Sequence, residues 1–76
     1  MNITVLTAIE VRGGEVKKVW TDAFIDEDDA EMDVRRIISE TEGVFGREEC
    51  HELSSNGKKA FAAVYPNGDR DIYVLS

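Results

Sequence analysis

The chain has one cysteine, one proline, one histidine and one tryptophan in 76 residues. A single cysteine excludes an internal disulfide and any cysteine-based zinc site, the staples on which secreted domains of this size usually rely. A single histidine leaves no second imidazole for a histidine-based metal site. No apolar run approaches the roughly 18–20 residues of a membrane span, and Met1–Asn2–Ile3–Thr4 has neither a basic n-region nor a signal-peptide core, so the expected setting is cytoplasmic. Base is also scarce: nine Lys and Arg stand against sixteen Asp and Glu, a net charge of −7. That sign disfavours direct binding to nucleic acid and to anionic membranes. No GxxxxGK[ST] phosphate loop occurs, and Gly13–Gly14 reads as a turn.

What is present is a globular balance, 42% apolar and 33% charged, within a length that allows one domain over residues 1–76. Ile3 to Val11 alternates as a strand, with Ile3, Val5, Ile9 and Val11 sharing one parity. After Gly13–Gly14 the stretch Glu15 to Ile25 returns as its hairpin partner. Asp28 with Glu31 fits a capping box, and Ala30, Val34, Ile37, Ile38 and Thr41 form the apolar stripe of a helix that Gly43 is placed to end. Phe45 then folds back as a core anchor. Arg47–Ser54 is a charged strand suited to an edge, and Ser55–Asn56–Gly57 turns into a strand over Lys58–Tyr65. Pro66–Asn67–Gly68–Asp69 turns again into Arg70–Leu75. The expected fold is α+β: a small antiparallel sheet in ββαβββ order with one helix packed on one face. Its expected core joins Val34, Ile37 and Phe45 to Val5, Ile9 and Val74. Leu6, Ala8, Trp20, Phe24, Phe61 and the two tyrosines exceed what one helix can cover together with that set, so the sheet either curls over them or meets a partner through them.

Chemistry-bearing constellations are few. Cys50 and His51 are neighbours on a strand and therefore point to opposite faces, which excludes a nucleophile–base pair. An EF-hand loop begun at Asp26 fails at Ala30, Glu31 and Ile37, where an oxygen ligand, a glycine and a bidentate glutamate belong. Gly43–Val44–Phe45–Gly46 has GxxG spacing without a basic contact. No enzyme, metal or cofactor is expected.

Charge distribution is the feature with contrast. Asp22, Asp26, Glu27, Asp28, Asp29, Glu31 and Asp33 put seven acids and no base between Trp20 and Asp33, while the remaining residues balance at nine of each sign. Acids favour a helix N-terminus, and a charge run commonly forms a solvated face, but seven also repel one another. These residues are the candidate contact surface for a basic protein partner, such as the groove of a nucleic-acid-binding protein. In length and charge the chain resembles the small acidic DNA-mimic inhibitors of phages, the anti-CRISPR and anti-restriction proteins. That resemblance implies a non-enzymatic inhibitor. The alternative is a structural or accessory subunit that forms a homodimer or larger homo-oligomer through an exposed sheet face built on residues such as Leu6, Trp20 or Phe24.

Overall fold

A computed structural model describes the backbone of residues 3–45, 49–55 and 58–76, and the side chains of residues 3–41 and 59–76. Strand β1 (Thr4–Arg12) is rich in Val, Ile and Thr, whose branched side chains suit a pleated surface. Gly13 and Gly14 both adopt positive φ, 60° and 79°, the backbone of a two-residue type I′ turn, and β2 (Glu15–Phe24) pairs back along β1. The register slips between Glu10 and Val11, where Lys17 is the extra residue of a bulge. Helix α1 (Glu27–Phe45) follows, then β3 (Glu49–Ser55), β4 (Lys58–Val64) and β5 (Arg70–Leu75). The fold is a small α+β arrangement of an antiparallel sheet and one helix, its strands in the spatial order β2-β1-β5-β4-β3.

The β4–β5 connection shows why Pro66 and Gly68 are where they are. The Gly68 N–H donates to the Tyr65 carbonyl and the Tyr65 N–H to the Asp69 carbonyl, both at 2.9 Å. Pro66 presets the first turn position, and Gly68 at φ 91° supplies the left-handed residue that restores the ladder. The other expected hairpin, at Asn56–Gly57, lies outside the described residues.

Three expectations about the core and the helix are corrected. First, the helix covers the opposite sheet face. Ala30, Val34 and Ile38, spaced four apart, are buried against Leu6, Ala8, Phe61, Ala63, Tyr65, Tyr73 and Leu75, with Trp20, Phe24 and Ile37 packed at the margin. Val5, by contrast, is 37% exposed. The reason is volume: the aromatics share one parity with alanines, so Ala8 between Trp20 and Tyr73 makes room for large rings under a helix. Second, the cap is Asp26, whose carboxylate accepts the Asp28 N–H at 2.9 Å and whose carbonyl accepts the Ala30 N–H at 3.2 Å. Asp28 is therefore inside the first turn. Third, the helix continues through Gly43 to Phe45; one interior glycine costs only about 1 kcal/mol. Phe45 is thus the last helical residue, and its side chain lies outside the described set.

Candidate functional site

The seven candidate acids gather where β2 passes into α1. Asp22 is on β2, and its carboxylate accepts the N–H of Ala23 at 2.9 Å. Asp26 is occupied in capping. Glu27, Asp28 and Asp29 fill the first helical turn, where the unpaired N–H groups favour negative charge. Glu31 and Asp33 lie one turn further on.

The fold brings to this run one base that the linear sequence keeps at a distance, beside two that helical spacing already supplies. The Lys59 ammonium, on β4, is 3.0 Å from Glu31 and 3.4 Å from Glu27. Arg35 pairs with the other Glu31 oxygen at 3.0 Å, and Arg36 bridges Asp33 at 2.7 Å and Glu40 at 2.9 Å. The Arg35 guanidinium also lies over the Phe61 ring, 5.4 Å from its centre. The Lys59 and Arg35 hydrogen bonds lower the Glu31 pKa, and the reciprocal bonds to Glu31 and Glu27 raise that of Lys59. Of the seven acids, Asp22, Asp26, Asp28 and Asp29 have no cation partner among the described residues, and of these Asp26 is engaged in capping. The same segment exposes two apolar side chains that the charge pattern did not single out, Ile25 at 74% and Met32 at 68%. Phe24 and Met32 floor an open depression rimmed by Asp29, Asp33 and Arg36.

A second polar cluster ties the two hairpin ends together. Asp71, 4% exposed, accepts a hydrogen bond from the Arg12 guanidinium at 2.8 Å and another from the Tyr65 hydroxyl. The same guanidinium reaches the Arg70 carbonyl at 3.2 Å and lies 5.4 Å from the centre of the Tyr65 ring. Asp69 accepts the Gly13 N–H at 2.9 Å and an Asn67 amide hydrogen at 3.0 Å. Burial, and then the bond to Asp71, raise the Tyr65 pKa; burial chiefly raises that of Tyr73. Arg12, Tyr65, Asp69 and Asp71 are each bonded to a neighbour within the fold, as a structural clasp requires.

Among the described residues no three His, Cys, Asp or Glu side chains converge to hold a metal ion, and no helix is long and apolar enough to cross a membrane. In β3, Cys50 and His51 pair with Ala63 and Ala62, successive positions on opposite faces. Comparison with family models, with curated proteins and with solved structures gives no match to this chain.

Proposed function

We propose that the chain is a non-enzymatic, cytoplasmic protein-binding module or inhibitor that occupies a basic surface of a partner, in the manner of small DNA-mimic inhibitors of anti-CRISPR or anti-restriction type. The observation that carries this reading is the exposure of Asp22, Asp28 and Asp29, without cation partners among the described residues and not used in capping, in a segment that also exposes Ile25 and Met32. Acids steer a basic partner from a distance, and exposed apolar side chains add desolvated contact once it arrives. Glu27, Glu31 and Asp33 contribute less, because Lys59, Arg35 and Arg36 already offset their field.

The test is capture from host lysate at low salt by the parent and by an Asp28→Lys/Asp29→Lys variant whose fold is checked by circular dichroism. The parent should retain a basic, nucleic-acid-binding protein that salt or duplex DNA displaces, and the variant should lose it. Retention of the same proteins by both would refute the reading.

A further inference from the structure

Across β1, β2, β4 and β5, the side of the sheet turned away from α1 is predominantly apolar. Cross-strand register places Val5, Thr7, Ile9 and Val11 of β1 beside Ala23, Thr21, Val19 and Val16 of β2. It continues through Val74 and Ile72 of β5 to Ala60, Ala62 and Val64 of β4. Val16 and Val19 are 61% and 57% exposed. Nothing in the described fold packs on this face, since the helix lies on the other.

From this arrangement we infer that the open sheet face is a homodimer interface, with a second copy of the same chain packed sheet against sheet. This goes beyond the proposed binding function and does not depend on it.

Charge selects the occupant. A chain at −7 repels its own copies in most orientations. On β1, β2, β4 and β5, however, no acid stands on this face, since Glu10, Glu15, Asp22 and Asp71 all pair in the helix-side register; in the edge strand β3 the register puts one acidic position, Glu49, opposite Val64 at the end of the face. The ionisable positions on this face are Lys17, at the bulge, Arg70, and Glu49, His51 and Lys58 toward the β3 edge. Face-to-face packing therefore directs both acidic regions outward. Stacked sheets lie about 10 Å apart and each helix adds roughly 10 Å more, so the acidic regions would be ~30 Å apart, against a Debye length of about 8 Å. Self-repulsion then scarcely opposes this one orientation.

Area agrees. Five strands spaced about 4.8 Å and six to ten residues long give a face of roughly 500–700 Å² per copy, or about 1,000–1,400 Å² for the pair. Specific interfaces begin near about 1,000 Å². Flat faces of Val, Ile, Thr and Ala also interdigitate with themselves when sheets pack aligned, as a two-fold interface requires.

The experiment is sedimentation equilibrium of the full chain over a concentration series. The parent should approach twice its 8.5 kDa mass as concentration rises. A Val5→Lys/Val19→Lys variant should remain monomeric, and Met32→Lys, on the helix side, should dimerise like the parent. Methyl resonances in the presence of a soluble paramagnetic agent give a second measurement that needs no variant. Val5, Val19, Ile72 and Val74 should become protected as the parent is concentrated, while Met32 stays accessible. A monomeric parent with those methyls accessible throughout overturns the inference and leaves the face to another kind of partner. A dimer that survives the double lysine variant overturns it too, as does an open-ended series of masses, which would indicate pairing along the free edge of β2.

Discussion

The Arg12 guanidinium and the Asp71 carboxylate meet at 2.8 Å across 59 positions of sequence, joining the end of the first strand to the start of the last. Asp71 is almost wholly enclosed, whereas Arg12 retains 27% of its side-chain exposure. The two have unequal importance for that reason. The carboxylate depends on its partners, and the guanidinium can reach water without it.

Replacing Arg12 with methionine should therefore destabilise the fold by about 3 kcal/mol, the lower end for breaking a buried ion pair, because the carboxylate loses its charge partner. Asp71→Asn combined with Arg12→Met should recover part of that loss. Urea unfolding of the parent, both single variants and the double variant measures the coupling. Additive losses would show that the pair contributes nothing as a pair.

Leu6→Ala should cost about 2–5 kcal/mol, while Val5→Ala, one residue away, should cost under about 1.5 kcal/mol in dilute solution. Leu6 is fully enclosed beneath the helix and Val5 is on the open face. Thermal or chemical melts of the two variants at low concentration check the order, and the reverse order would put the helix on the wrong side of the sheet.

Alternation along Ile3–Val11 correctly groups residues by face but carries no label for which face is covered. The branched residues Val5, Ile9 and Val11 satisfy β-strand preference whether or not anything packs on them. The deciding information is across strands, in the placement of Ala8 next to Trp20 and Tyr73, and no reading of one strand contains it. The acidic run is similar. Its seven members and the i,i+4 pairs Glu31–Arg35 and Arg36–Glu40 are visible as spacing, but Lys59 reaches Glu31 from 28 positions away. The sequence-based picture therefore overstates the local charge and misses Ile25 and Met32, whose significance comes only from exposure in the same segment as Asp28 and Asp29.

Both tyrosines are held above their ordinary pKa of 10.0, Tyr65 and Tyr73 alike chiefly by burial. Raised pKa values in the folded state mean that this stability is intact below pH 10.0 and is lost as pH rises through the folded values. Tyrosinate absorbance should accordingly appear together with loss of circular dichroism above pH 10.0, rather than before it. Ionisation with the fold intact would contradict their enclosure.

The acid side has the opposite sign. The Lys59 and Arg35 bonds lower the Glu31 pKa from 4.5, so its contribution is present above pH 4.5 and is lost as pH falls through the folded value. Glu31→Gln should lower the melting temperature near neutrality and flatten its decline below pH 4.5. Parallel melting curves across that window would show that the pair is too well solvated to matter.

Gly68→Val should destabilise by about 1–3 kcal/mol, since a branched residue resists φ 91°. No neighbouring atom lies within 4 Å of the position where a Cβ would stand, so any loss measured by denaturant unfolding reports the backbone alone. An unchanged midpoint would mean that the turn adopts another geometry.

The hydrogen-bonded neighbours of β1 are β2, reached through a two-residue turn, and β5, the last element of the chain. Val5 and Ser76 even exchange both backbone hydrogen bonds at 3.0 Å. During synthesis β1 and β2 emerge before β5, so the inner edge of that hairpin stays without a partner until β5 has left the ribosome. Leu6 and Ala8 likewise wait for Tyr73 and Leu75 to complete the layer under the helix. Closure of that long loop, and not formation of the helix or of any of the hairpins, is the step expected to set the folding rate. A nascent chain stalled before Arg70 would display an unpaired, hydrophobic β1 edge, the form of this molecule most exposed to aggregation and to chaperones.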